Sequence, residues 1–100
     1  MTSRAVVVCN ELGLHARAAA RFVQLATRFE SHIRVGRDGK TMDGKSILGI
    51  LLLAAAQGTT LTITAEGPDE EGAVAALVQL VESGFAEPLS ALGTGGPWNV

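Results

Sequence analysis

Alternation of apolar and polar residues marks the strands of this chain. Residues 31–37 and 60–66 place an apolar side chain at every second position, as a half-buried β-strand does. Residues 4–9 form a short run rich in β-branched side chains, which is typical of a buried strand. Asp38 and Gly39 predict a two-residue hairpin turn that leads into a short return strand over residues 40–42. The positions predicted to face the core are Ile33, Val35, Leu61, Ile63 and Ala65.

A helical period replaces this alternation in three other stretches. Residues 16–29 repeat apolar side chains at helical spacing. Ser46 is a good N-cap for a helix over residues 47–53. Asp69 is predicted to cap a last helix that stops near Gly84. The apolar stripes are Phe22, Leu25, Ala26 and Phe29 in the first helix, and Val74, Leu77, Val78 and Val81 in the last.

The resulting element order is β-α-β-β-α-β-α. It predicts an α+β fold, an open-faced β-sandwich in which a four-stranded antiparallel sheet is covered on one face by three helices. We expect one domain over residues 1–87 and an irregular or mobile C-terminal tail over residues 88–100, where two prolines and three glycines fall.

Composition narrows the compartment and the class of protein. Cys9 is the single cysteine, so no intrachain disulfide can form, and this fits a reducing compartment. The most apolar stretch, residues 47–56, is too short to span a bilayer, and no signal peptide is visible. We therefore expect a cytoplasmic protein that does not bind a membrane.

The charges are divided unevenly along the chain. All eight Lys and Arg residues lie within residues 1–45, which have a net charge of +4, whereas residues 46–100 carry six acids and no Lys or Arg. Such a distribution favours an acidic protein partner or a phosphate at the N-terminal half. We expect no nucleic-acid partner, because the chain has no basic run and no aromatic side chain among its basic residues.

His15 precedes the first helix and is the main candidate for chemistry. Unpaired N–H groups and the dipole make a helix N-terminus an anion site, so a phosphoryl group on a His15 ring nitrogen could be held by the N–H groups of Ala16 and Arg17. The Arg17 guanidinium could add charge-assisted hydrogen bonds, and Arg21 would enlarge the positive field. The alternative is a histidine that merely caps the helix or faces solvent. We expect no metal site, because His15, His32 and Cys9 lack ligand spacing.

Three segments of the chain resemble the HPr family, the histidine-containing phosphocarriers of the bacterial phosphotransferase system. They read GLHARAAARFVQLA from residue 13, GKSILGI from residue 44 and QGTTLTITAEGPDEEGAVAALVQLV from residue 57. The resemblance extends from about residue 6 to residue 85 and implies the same order of elements. The last segment is closer to the nitrogen-related branch of the family than to the sugar-uptake branch.

The resemblance implies that His15 accepts a phosphoryl group from phospho-enzyme I through its Nδ1 and donates it to an enzyme II A component. Arg17 falls at the active-site arginine of the family. The protein would then be a covalent relay rather than an enzyme that turns over alone, with no cofactor, and we expect a monomer.

The resemblance also implies a regulatory and a docking region. Ser46 falls at the regulatory serine, which an HPr kinase/phosphorylase modifies in some bacteria; the alternative is a plain N-cap. An apolar patch beside the histidine is expected to dock partners, with Arg17, Arg21 and Lys45 as a basic rim against an acidic helix of enzyme I. The residues assigned to this docking surface are Arg21, Lys45, Ile47, Leu48 and Leu51.

Ala18 departs from the family, in which most members carry proline at this position. Alanine is a strong helix former, so the helix should survive, and the open question is how rigidly the loop before His15 is held. Two rival functions remain: a regulatory docking module switched at His15 or Ser46, and an α+β interaction domain without phosphoryl chemistry.

Overall fold

A computed structural model describes residues 1–86 of the protein. Its four strands are β1 (Thr2–Val7), β2 (His32–Arg37), β3 (Lys40–Asp43) and β4 (Thr60–Glu66). They form one antiparallel sheet in the order β1-β4-β2-β3. The helices are α1 (Ala16–Ala26), α2 (Ile47–Leu52) and α3 (Glu70–Glu82). The predicted open-faced sandwich is confirmed, whereas the predicted tail over residues 88–100 and residue 87 lie outside the described residues.

The sheet follows the predicted alternation. All five core positions predicted in β2 and β4 are buried, and the residues between them are exposed or half-buried. The hairpin forms at Asp38 and Gly39, which have φ angles of 46° and 83°, as a type I′ turn requires. Helices pack on the buried face only, so a threonine-rich face stays open to solvent.

The first strand lies two residues earlier than predicted. Thr2 pairs with Ala65 and Val7 with Thr60, so the polar residues at the start of β1 take part in the ladder although they carry no apolar signal. Val8, predicted within the strand, is fully buried just beyond it, where its N–H donates to the Thr59 carbonyl at 2.9 Å. Hydropathy located the buried end of the strand and missed its solvated end.

Helix α1 ends at Ala26, three residues before the predicted end. Arg28 and Phe29 donate to the carbonyls of Leu25 and Ala26, three residues back, which is the tighter 3₁₀ pattern of a closing turn. The buried face of α1 also carries smaller side chains than the predicted stripe, because Leu25 and Phe29 are only half-buried. The buried residues of α1 are Ala18, Ala19, Phe22, Val23 and Ala26.

Asp69 has a different role from the predicted cap. It occupies the N-cap position of α3, but its carboxylate makes no capping bond. Instead it accepts hydrogen bonds from the backbone N–H groups of Glu30 and Ser31, both at 2.9 Å, and from the Ser31 hydroxyl. These bonds tie the start of α3 to the segment that leads into β2, and they lower the pKa of Asp69, with the Ser31 hydroxyl as the largest cause.

The Glu70 carboxylate binds the N-terminus of the chain through an ion pair and a hydrogen bond. Its Oε2 lies 2.8 Å from the Met1 amino group and accepts from the Thr2 hydroxyl at 2.6 Å. The bond from the Met1 amino group is the main reason that the pKa of Glu70 falls to about 2. The first turn of α3 therefore holds both the start of β1 and the start of β2.

The loop before α1 is held against the segment that follows α2. Leu14 N–H donates to the Ala55 carbonyl at 2.9 Å, and Gly13 N–H donates to the Asn10 carbonyl at 3.1 Å. Gly13 has a φ of +64°, and a Cβ there would lie 2.4 Å from the Ala55 carbonyl oxygen. Only glycine fits this contact without displacing the backbone.

Replacing Gly13 with alanine should therefore destabilise the protein more than a positive φ alone explains. The matched control is Gly39→Ala, since Gly39 also has a positive φ but nothing within 4 Å of its missing Cβ. We expect Gly39→Ala to cost about 1–2 kcal/mol, and Gly13→Ala to exceed it by roughly 1–3 kcal/mol. Urea unfolding measures both, and equal losses would contradict the proposed close contact.

The Asp69 bonds should make stability depend on pH. Because the pKa of Asp69 is lower in the folded chain, its contribution is complete above the ordinary carboxyl pKa and disappears as the pH falls through the lowered value. We expect Asp69→Asn to unfold several degrees below the wild type at pH 7, with the two midpoints converging in acid. Glu71→Gln, at an exposed acid in the same turn, serves as the control. Thermal unfolding between pH 7 and pH 2 provides the measurement, and a gap that persists in acid would contradict this role of the charge.

Candidate functional site

His15 caps the N-terminus of α1. Its backbone is extended, with φ −77° and ψ 178°, and its carbonyl accepts the first helical bond, from Ala19 N–H at 2.9 Å. The side chain turns back over the helix, where Nδ1 accepts from Arg17 N–H at 3.2 Å. The half-buried imidazole is thus held from both its main chain and its ring.

This hydrogen bond defines the tautomer of the ring. A nitrogen that accepts an N–H bond carries a lone pair and no proton, so in the neutral imidazole the proton lies on Nε2. The lone pair of Nδ1 is therefore the one aimed at the helix N-terminus. It is also the nitrogen that the sequence resemblance assigned to phosphoryl transfer.

The predicted phosphate-binding residues follow directly in the chain. Ala16 and Arg17 are the first two residues of α1, and both are exposed. Their N–H groups belong to the first turn, where no carbonyl lies four residues earlier within the helix. The three consecutive residues His15, Ala16 and Arg17 thus lie around one helix end with a positive dipole.

Helix α1 forms with alanine at position 18, where most family members carry proline. Ala18 is the third residue of α1 and fully buried, and the helix begins at Ala16 in spite of the substitution. Rigidity of the loop comes from the backbone bond between Leu14 and Ala55 and from the tight contact at Gly13. An alanine at position 18 is therefore compatible with a helix that begins directly after His15.

Two of the three predicted rim cations, Arg21 and Lys45, make hydrogen bonds within the fold. Arg21 lies one helical turn after Arg17, and its Nη1 donates to the Phe85 carbonyl at 2.8 Å. The Lys45 ammonium donates to the Phe29 carbonyl at 2.7 Å, past the far end of α1. That point is on the order of 20 Å along the helix from His15. Arg21 thus extends the positive field of the site, whereas Lys45 places its charge at the opposite end.

Helix α2 carries an apolar face toward solvent. Ile47 is 46% exposed and Leu48 66% exposed, as the docking prediction requires, whereas Leu51 is half-buried against the core. Ile50 and Leu53 are almost completely buried. The uniformly apolar sequence of α2 therefore places some apolar side chains in the core and others toward solvent.

Two further exposed leucines escaped the sequence analysis. Leu52 is 54% exposed, four residues after Leu48 and so on the same side of α2, a spacing that could have revealed it. Leu12 is 71% exposed in the loop before His15, and no periodicity marks a residue in a loop. We refer to Leu12, Ile47, Leu48 and Leu52 as the apolar rim.

Ser46 caps α2. Its hydroxyl oxygen accepts from Gly49 N–H at 3.0 Å, and its backbone is extended, with φ −114° and ψ 116°. The side chain is half-buried at the junction between β3 and the apolar rim. The structural role considered for Ser46 is therefore present, and it does not conflict with modification of the same hydroxyl.

Neither a membrane-spanning helix nor a cluster of metal ligands is found within residues 1–86. No helix there is long and apolar enough to cross a bilayer. No group of three or more His, Cys, Asp or Glu side chains is placed to hold a metal ion in that part of the chain.

Comparison with known proteins identifies this arrangement. Residues 2–83 match the family model described as the PTS HPr component phosphorylation site. The phosphocarrier protein HPr of Cupriavidus necator is 45% identical over 87 residues, which cover 87% of this chain and 98% of that relative. HPr of Pseudomonas aeruginosa is 46% identical over 88 residues, with the same coverage.

Solved structures show the same fold. An HPr from Thermoanaerobacter tengcongensis aligns with a TM-score of 0.85 at 48% identity, covering 89% of this chain and all of that one. Crh, a catabolite repression protein of Bacillus subtilis whose crystal structure is a domain-swapped dimer, aligns with a TM-score of 0.68 at 42% identity, covering 84% of this chain and 97% of Crh. With these matches over most of its length, the chain belongs to the HPr family, the phosphocarrier proteins of the phosphotransferase system.

Proposed function

We propose that this protein carries a phosphoryl group on Nδ1 of His15, accepts it from phospho-enzyme I and passes it to an enzyme II A component in the cytoplasm. The observation that carries this proposal is the imidazole that caps α1 with its Nδ1 lone pair facing Arg17 N–H. Membership of the phosphocarrier family supports the class of reaction.

The tautomer suits nucleophilic attack. With the proton on Nε2, the Nδ1 lone pair attacks phosphorus while the bond between phosphorus and the donor breaks and its electron pair leaves with the donor. No proton has to leave Nδ1 before the attack. The ring then carries a formal positive charge, so neutral imidazole is the leaving group when the phosphoryl group moves on.

The helix end stabilises the phosphorylated form. An N–P bond replaces the hydrogen bond that Nδ1 accepts from Arg17, and the phosphoryl oxygens become the acceptors for the first-turn N–H groups of Ala16 and Arg17. The Arg17 guanidinium adds charge-assisted bonds. One neutral capping bond is thus exchanged for several bonds to a dianion, while the labile P–N bond keeps the group transferable.

Partner proteins dock on the surface next to this helix end. The exposed side chains of Ile47 and Leu48, with half-buried Leu51 beneath them, supply apolar area. Arg17 and Arg21 supply a positive field that suits an acidic surface on the partner. Lys45 precedes these residues in the chain, but its ammonium is held at the Phe29 carbonyl, so its charge does not add to the field around His15.

Phosphorylation by a bacterial enzyme I with phosphoenolpyruvate tests the proposal. The two histidines form a matched pair, since His32 lies exposed on β2, away from α1. We expect one acid-labile phosphoryl group per chain in the wild type and in His32→Ala, and no detectable label in His15→Ala or His15→Asn. The asparagine variant retains a good N-cap, so its loss of label cannot be attributed to unfolding. Equal labelling of the His15 variants would refute the carrier function.

A regulatory docking role is a second candidate function. Its support is the likeness to Crh, which is described as a catabolite repression protein. Ser46 lies directly before the exposed residues Ile47 and Leu48, so a phosphate on it would place negative charge at the docking surface. The same docking surface would then bind both phosphoryl donors and regulatory proteins.

Substitutions at Ser46 separate its cap from this regulatory effect. Ser46→Ala removes the acceptor for Gly49 N–H and should lower the free energy of unfolding by about 0.5–2 kcal/mol. Ser46→Asp keeps an acceptor and should match the wild type in stability, yet accept phosphate from enzyme I roughly tenfold more slowly, because it adds negative charge at the docking face. Ser3→Asp, on the open face of the sheet, controls for charge alone. A wild-type rate in Ser46→Asp would argue against regulation at this residue.

A further inference from the structure

Arg37 lies at a core-facing position at the end of β2. It follows Ile33 and Val35 at every second residue, on the face of the sheet that the helices cover, and its side chain is only 26% exposed. A charged group on this face needs hydrogen-bond partners that replace the water it loses. The partners of Arg37 therefore determine what this charge does in the fold.

Those partners are two backbone carbonyls just past the end of α2. Arg37 Nη1 donates to the carbonyls of Leu53 and Ala54, both at 3.0 Å. From the other edge of the same guanidinium, Nε and Nη2 donate to the Asp38 carboxylate at 3.0 Å and 2.7 Å. Because the guanidinium is planar and rigid, the ion pair with Asp38 orients the nitrogen that faces the carbonyls. Arg37 thus joins the turn after β2 to the end of α2.

The backbone between these two carbonyls has a conformation that alanine rarely adopts. Ala54 has a φ of +49°, and the left-handed position that follows a helix is usually a glycine. The carbonyls of Leu53 and Ala54 belong to the peptide groups on either side of Ala54, so the two bonds from Arg37 together define its φ and ψ. They offset the cost of the left-handed backbone, and the direction in which the chain leaves α2 therefore depends on Arg37.

The next carbonyl in the chain holds the loop before His15. The Ala55 carbonyl accepts from Leu14 N–H at 2.9 Å, and Gly13 lies so close to the same oxygen that any Cβ would clash with it. The orientation of this carbonyl follows from the left-handed residue before it, and Leu14 directly precedes His15. Three consecutive carbonyls, of residues 53–55, therefore connect the Arg37 guanidinium to the residue before the histidine.

We propose that Arg37 is a positioning residue for His15, which it holds in place through residues 53–55 without touching the imidazole. In its absence Ala54 relaxes from the left-handed conformation, the Ala55 carbonyl turns, and the bond to Leu14 opens more often. The consequence for phosphoryl transfer rests on the function proposed above. Because transfer requires aligned reacting atoms, a looser loop slows the chemical step more than it weakens partner binding.

Amide hydrogen exchange tests the positioning without any phosphoryl chemistry. The Leu14 amide reports the bond to the Ala55 carbonyl, and the Val78 amide, in the middle of α3, reports opening of the whole fold. In Arg37→Gln we expect the Leu14 amide to exchange at least about tenfold faster, relative to the Val78 amide, than in the wild type, because bonds from a charged donor are lost.

Two further variants separate this effect from a change of charge. Arg34 lies on the same strand, exposed on the opposite face of the sheet, so Arg34→Gln loses the same charge and should leave Leu14 exchange unchanged. Arg37→Lys should recover most of the Leu14 protection, because one ammonium also has donors for two carbonyls. Equal Leu14 exchange in the two glutamine variants would overturn the proposal, as would Arg37→Lys exchanging as fast as Arg37→Gln.

The kinetics of phosphorylation by enzyme I measure the consequence at His15. For Arg37→Gln we expect a kcat about three- to tenfold lower, with KM within about twofold of the wild type, because the exposed residues at the start of α2 stay in place. Arg34→Gln should match the wild type in both constants. An unchanged kcat in Arg37→Gln, with or without a higher KM, would overturn the positioning of the histidine.

Failure of this proposal is distinguishable from failure of the carrier function. Absence of label in the wild type would refute the carrier function and leave the exchange result standing. Normal labelling of the wild type combined with unchanged Leu14 exchange in Arg37→Gln would refute the role of Arg37 alone.

Discussion

The hydrogen bond between Arg17 N–H and His15 Nδ1 joins the fold of this protein to its proposed chemistry. It caps α1, and the same contact orients the ring and leaves the lone pair on the nitrogen that would attack phosphorus. Phosphorylation of Nδ1 would remove this acceptor, and the phosphoryl oxygens would then cap the helix. In the proposed mechanism, α1 therefore changes its cap each time the phosphoryl group arrives at His15 or leaves it.

Placement of that cap depends on contacts distant in sequence. Gly13 packs against the Ala55 carbonyl and Leu14 bonds to it, so the His15 loop rests on the segment that follows α2. The same segment follows the exposed leucines of α2. The placement of His15 and the placement of α2 are thus linked through the backbone contacts at Ala55.

The positions of the Arg21 and Lys45 charges are set by hydrogen bonds within the fold. Arg21 donates to the Phe85 carbonyl, and Lys45 donates to the Phe29 carbonyl, so each cation also closes the end of a helix or turn. The anchored Arg21 gives the site a positive field at fixed distance from His15.

The sequence by itself determined the local features: the alternation in residues 60–66, the Asp38–Gly39 turn and the caps at His15 and Ser46 all depend on neighbours within a few residues. Only the tertiary structure decided which features meet. In the tertiary structure, polar Thr2 pairs with Ala65, and the Asp69 carboxylate accepts from the N–H groups of Glu30 and Ser31 instead of capping its own helix. The Lys45 ammonium lies at the Phe29 carbonyl, away from His15, and Leu12 is exposed. Each of these depends on contacts between residues far apart in the chain, and periodicity, which records only the local period of the backbone, carries no information about them.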